Sequence, residues 1–204
     1  MFVLTVDQKS SRSTPDLVPE LLQALQAIPT VLAFQRSVGD EIQGLLDDAG
    51  ATVEAIMLIL RRHSWYVGLG IGAVEEPLPA SLREARGPAF IAAREAVEQA
   101  KKTGNRIPLA VRGSIPTQQT EAAEAVLRLV GRLVSDRTSA EWNVVDRLVP
   151  GKRGEQHRVA QELSMTAQAV SGAVQRTGWS EELAGREAAT LLLTQAQETI
   201  NRWS

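Results

Sequence analysis

Two acidic residues stand where short strands should end: Asp7 closes the apolar run 2–6, and Asp40 sits at the tip of a hairpin read over 31–46. Carboxylates on neighbouring strand ends can hold Mg²⁺, which in turn clamps a triphosphate. Asp and Gly-Asp are also common turn formers, so the same residues suit plain turns. A second constellation lies at 156–176. Val159, Ala160 and Leu163 recur at helical spacing, Ser164 falls at a turn, Thr166 is a natural helix N-cap, and Val170 and Val174 repeat on the second helix. Small and apolar residues at these offsets let two short helices cross closely, as a helix-turn-helix requires. Met165 is expected to plug inward. Ala167, Gln168, Ser171, Gln175 and Arg176 are expected to face outward, with Thr166 at the helix start, where such side chains suit base edges and phosphates.

Charge adds to the second constellation. Over 152–176 the basic residues Lys152, Arg153, Arg158 and Arg176 outnumber Glu155 and Glu162, a local excess of plus two in a chain whose total is minus two. Lys152 and Arg153 join the outward residues as expected phosphate contacts, and double-stranded DNA is the expected partner. The chain has 204 residues, 44% hydrophobic and 23% charged, and no cysteine, which excludes disulfides and thiolate metal sites. His63 and His157 lack the spacing of a His-based metal site. The apolar run 55–60 is too short to span a bilayer and no basic leader precedes Asp7, so a cytoplasmic protein without a membrane segment is expected.

These residues need elements to hold them. Eight of the nine prolines lie at or before Pro116, so the first half reads as turn-punctuated and the second as long helices. The first half predicts strand 2–6, a helix opening at Thr14-Pro15-Asp16, the hairpin, helix 51–62, strand 65–71, helix 80–102 and strand 107–111. That order predicts an α+β fold of ferredoxin-like kind, with helices on one face of an antiparallel sheet. Gly68, Gly70 and Gly72 alternate along one strand and suit close backbone packing or the approach of a ligand. The second half predicts helices at 121–135, 140–148, 153–176 and 181–202, giving two domains, 1–116 and 117–204.

Three blocks in the first half resemble the class III nucleotide cyclase domain: Arg36-Ser37-Val38-Gly39-Asp40-Glu41, Val67-Gly68-Leu69-Gly70-Ile71-Gly72 and Gly87-Pro88-Ala89-Phe90-Ile91-Ala92-Ala93-Arg94. The resemblance implies a palm domain in which Asp7 and Asp40 are the metal-binding pair, Arg36 stands where a purine-selecting lysine often falls, and Arg94 matches the arginine that stabilises the transition state. Phe90 stands where such cyclases usually carry Asn, and an apolar ring cannot orient a ribose or support developing charge. Nucleotide binding by Arg36 and Arg94 is therefore expected without cyclase activity. Over nearly its whole length the chain also resembles the bacterial SatD family. That likeness runs from Asp7-Gln8-Lys9-Ser10-Ser11-Arg12 through Gly39-Asp40-Glu41-Ile42-Gln43 and Gly87-Pro88-Ala89-Phe90 to the helix-turn-helix.

Besides a reading of both halves as protein-interaction modules, two functions are open. One is a DNA-binding, transcriptional regulator, expected as a homodimer, whose palm domain senses a nucleotide with Mg²⁺ or mediates assembly. The other is an Mg²⁺-dependent nucleotidyl or phosphoryl transferase using Asp7 and Asp40, with the helix-turn-helix as a docking module.

Overall fold

A computed structural model describes residues 1–102, 104 and 107–203 of the chain. Strand β1 (Phe2–Gln8) runs up the middle of a five-stranded sheet in the order β2-β3-β1-β4-β5, with β2 Leu32–Arg36, β3 Glu41–Leu46, β4 Trp65–Ile71 and β5 Leu109–Gly113. β1 is antiparallel to β3 and β4, β2 is antiparallel to β3, and β4 and β5 are parallel. Phe2, Val3, Leu4 and Val6 have no exposed surface, as a strand covered on both faces demands.

The helices do not share one face, as the sequence reading expected. Leu4, Val6, Ile42, Leu46, Val67 and Leu69 pack beneath α1 (Val18–Leu25), α2 (Ala49–Leu60), α4 (Gln118–Ser135) and α8 (Trp179–Trp203). Val3 and Leu45 point the other way, toward α3 (Pro88–Lys102). The adjacent parallel pair β4-β5 is joined by a crossover helix, and α3 is that helix. It lies almost on the backbone of β4: a Cβ added at Gly70 would stand 2.1 Å from the Ala89 carbonyl oxygen, and one at Gly68 2.3 Å from the Val97 nitrogen. Ala89, Ala93, Ala96 and Ala100 form the helix face that makes this approach possible. Close backbone packing therefore accounts for the alternating glycines at 68 and 70.

Among the boundaries that differ from expectation are those of α1, α3 and β5. Helix α1 begins at Val18 with Pro19 in its first turn, because the Asp16 carboxylate accepts from the Val18 N–H and holds 14–17 outside the helix. Helix α3 begins only at Pro88, since Gly87 adopts φ 134°, and residues 80–87 form a loop with one 3₁₀ turn at Leu82–Glu84. β5 starts two residues later than the predicted strand.

The core does not break at residue 116. Ala123, Leu127, Val130 and Val134 of α4 and Ala189, Leu193, Ala196 and Ile200 of α8 belong to the same buried cluster as the sheet. A separate small core forms instead around Val144, Val159, Ala160, Val170 and Ala173, where α5 (Ser139–Val145), α6 (Glu155–Glu162) and α7 (Ala167–Arg176) meet. Chain order is thus interrupted in space: α4 and α8 complete the sheet's helical layer, and the three short helices between them form an appended unit. Among the described residues, no helix is long and apolar enough to cross a membrane.

Candidate functional site

The face of the sheet that carries α3 is apolar at one end and polar at the other. Alternation along β1 and β3 sends Val3 and Leu45 to the apolar end, and Thr5, Asp7, Gln43 and Glu41 to the polar end. Asp7 lies directly across from Glu41, and the buried Gln43 amide donates to the Thr5 hydroxyl at 3.3 Å. Burial pushes the Glu41 carboxyl above its ordinary value, against the hydrogen bond from Ser37 and the charge of Arg94. Asp7 is already engaged: Lys101 Nζ stands 2.9 Å from its Oδ2 and 2.9 Å from Glu98 Oε1. Burial opposes the Lys101 charge, but the bonds to Glu98 and Asp7 prevail and raise its pKa.

Asp40 occupies the β2-β3 turn beside Gly39, whose φ is 58°, and forms no ion pair among the described residues. The residue facing Asp7 across the strands is thus Glu41. No group of three or more His, Asp or Glu side chains able to hold a metal occurs among the described residues. With Lys101 seated on Asp7, the residues present do not fit the Mg²⁺ that the cyclase resemblance implies.

Beside this polar strip opens a cavity of about 750 Å³, with Gln43 in its lining, Leu82, Phe90 and Ile91 as apolar wall, and Arg83, Arg86 and Arg94 against the single acid Glu75. Three positive charges minus one negative leave plus two. The Arg83 guanidinium donates to the Arg36 carbonyl at 3.0 and 3.2 Å, tying the 3₁₀ turn to the end of β2. Neither Arg86 nor Arg94 forms an ion pair within 4.0 Å among the described residues. An apolar wall next to unpaired guanidinia suits a ligand with a flat apolar part and an anionic part.

Arg36 does not join Arg94. Its pairing partner Ile42 points into the core beneath α1 and α2, so Arg36 projects on that face, where it donates to Asp16 at 2.5 Å and to the Gly39 carbonyl at 2.7 Å. Arg83 and Arg86 were missed by sequence reasoning, since no spacing marks them; Gln43 was legible in principle from its parity with Glu41 and Leu45. In the loop after β1, Ser13 Oγ and Thr14 Oγ1 both donate to the Ser10 carbonyl. Gln8 fastens the same loop, donating to Thr14 Oγ1 and the Pro15 carbonyl and accepting from the Leu17 N–H at 2.9 Å.

The α6-α7 pair has the expected turn. Ser164 takes φ 53°, the Met165 N–H donates to the Ala160 carbonyl at 2.8 Å, and Thr166 caps α7 by accepting from the Ala169 N–H. Gln168, Gln175 and Arg176 are exposed and Ser171 is half-buried on α7. Two residues differ from expectation. Met165 is 40% exposed because the left-handed Ser164 turns it outward, and Ala167 packs partly against the small core. Arg158 does not add free charge: it is committed to Glu155, Glu162 and the Arg147 carbonyl. Hydrogen bonding from Arg158 holds the Glu155 carboxyl down at about 2. Lys152 lies 3.5 Å from Glu155, and its loop, with Arg153, borders Val174 of α7 and Trp179 of α8.

The appended unit is joined to the sheet core by two arginines that the sequence reading did not single out. Arg61 at the end of α2 donates both NH groups to Asp146 at 2.7 Å and stacks 3.8 Å from the Trp142 ring. Arg137 pairs with Glu182 of α8, lies 4.8 Å from the Trp142 ring, and donates to the Thr177 carbonyl at the C-terminal end of α7. No family model, curated protein or solved structure matches the chain.

Proposed function

We propose that this chain is a DNA-binding regulator in which α6 and α7 form a helix-turn-helix and α7 enters the major groove. The observation that carries this reading is α7 itself. Its sequence contains no acidic residue, its core positions Val170 and Ala173 face inward, and Gln168, Gln175 and Arg176 are exposed around them, Arg176 with its Nε 3.8 Å from Glu141 of α5. Thr166 and Gln168 lie exposed at the helix N-terminus, where unsatisfied N–H groups and the helix dipole favour a phosphate. Net charge over 139–176 is small, five basic residues against four acidic, so one copy supplies little counterion-release energy. A homodimer doubles the contact, and a two-fold symmetric site follows from it.

The sheet supports a second part of the same proposal. The order β2-β3-β1-β4 is that of a ferredoxin-like or palm sheet, in keeping with the cyclase and SatD resemblances. The arginine-lined cavity on its α3 face is suited to a nucleotide, the base against Phe90 and Ile91 and the phosphates toward Arg83, Arg86 and Arg94. Ligand control of DNA binding then requires only that the nucleotide favour one arrangement of the appended unit. A cytoplasmic location belongs to this reading.

The test is retention of sheared genomic DNA from the source cell on the purified chain, sequenced at two salt concentrations with and without a nucleotide mixture. Enrichment of a few loci that survives the higher salt is expected, changed by nucleotide. Uniform, salt-labile retention or none overturns the reading.

A further inference from the structure

We infer that the ammonium of Lys101 takes the place of a divalent cation at Asp7, so that the cavity on the α3 face binds its anionic ligand without metal. The identity of the ligand rests on the nucleotide reading above; the replacement of the metal by Lys101 does not.

Two carboxylates, Asp7 and Glu41, face each other across β1 and β3 on the polar end of this face, on the same side as Gln43 of the cavity lining, where their charge opposes an anion. A divalent ion is one way to offset such a pair. Helix α3 supplies another. Arg94 and Lys101 are seven residues apart, so they lie on one side of the helix about 10 Å from each other. Lys101 bonds Asp7 at 2.9 Å, while Arg94 acts on Glu41 and lines the cavity. Asp7 thus has a bonded cation, while Glu41 feels the more distant charge of Arg94, and both cations come from the same helix. That helix is held on β4 by the glycine contacts at 68 and 70, so its register along the sheet cannot slide. Lys101 is also braced by Glu98, and the Asp7 side chain is only 18% exposed. A metal ion would have to displace an ammonium that two carboxylates hold, and no third acidic ligand awaits it among the described residues.

Two measurements on the full chain test this. In the first, Mn²⁺ is titrated into the protein alone and followed by electron paramagnetic resonance. No saturable site below the millimolar range is expected; a tighter site lost in Asp7→Asn overturns the inference. In the second, ATP and inorganic tripolyphosphate are titrated calorimetrically in EDTA and in MgCl₂. Equal affinity in the two buffers is expected. Removing the cation by Lys101→Ala should weaken binding in EDTA by about tenfold, because the bared Asp7 carboxylate then opposes the anion, and Lys101→Arg should restore it. Binding by the unaltered chain that needs Mg²⁺ overturns the inference. Failure of both anions to bind in either buffer overturns the nucleotide reading, and the Mn²⁺ titration then decides the role of Lys101 alone.

Discussion

Arg137 and Glu182 meet where water does not reach, their side chains 1% and 0% exposed. Arg137 also donates to the Thr177 carbonyl at 2.8 Å, so one guanidinium links α8 to the end of α7. Removing it as Arg137→Ala leaves the buried Glu182 carboxylate with Arg186 on Oε1 alone and nothing on Oε2, a loss of about 3 kcal/mol, the lower end for breaking a buried pair. Urea unfolding followed by the fluorescence of Trp142 and Trp179 should show that loss. The paired change Arg137→Met with Glu182→Leu should lose less, because no charge is stranded.

Gly70→Ala places a methyl against the Ala89 carbonyl, and the backbone of α3 has to move. Overpacking of this sort costs about 1–3 kcal/mol, and contact with rigid backbone puts the change at or above the upper end. Calorimetric melting should show a clear fall in Tm. Gly151→Ala, at a φ of 73° with open space around it, should be milder.

Arg94→Ala removes a guanidinium from the cavity and should weaken nucleotide binding by about tenfold, one charge-assisted contact. Arg36→Ala should leave affinity within about twofold, since its exposed pair with Asp16 lies on the opposite face and such pairs contribute about 0–1 kcal/mol. Equal losses in the two variants, measured by calorimetric titration, contradict the cavity assignment.

Gln168→Ala with Arg176→Ala should reduce specific DNA affinity by about tenfold or more while leaving the melting temperature unchanged, because both side chains are exposed. Arg176→Ala alone should lower the salt slope by about one if it meets a phosphate. Fluorescence anisotropy across a salt series reads both.

Glu155 carries part of the pH dependence of the appended unit, beside Glu141, whose carboxyl is held below its ordinary value by hydrogen bonds from Thr138. The Glu155 carboxyl drops from an ordinary 4.5 to about 2 in the folded chain. A depressed carboxylate contributes its full stability above the unfolded pKa and loses it as pH falls through the folded one. The α5–α7 unit should therefore loosen between about pH 4.5 and 2, seen as a shift in tryptophan emission, and Glu155→Gln should flatten that dependence.

Much of the local structure was legible in the chain. The continuous apolar run of β1, the hairpin at Gly39-Asp40 and the apolar spacing of the α6-α7 pair are patterns of a few residues, and periods of two and 3.6 express themselves within such windows. Thr166 as a cap and the glycines of β4 as sites of close approach follow from the same local chemistry. The face on which each residue works was decided elsewhere. Alternation says that Asp7 and Gln8, or Arg36 and Gln35, point oppositely, but not which of them meets a helix. That depends on α3 crossing one face while α1, α2, α4 and α8 cover the other. Lys101 reaches Asp7 over 94 positions of sequence, and Arg137 reaches Glu182 over 45. No periodicity connects such pairs; only the packing of helix on sheet and helix on helix brings their charges together.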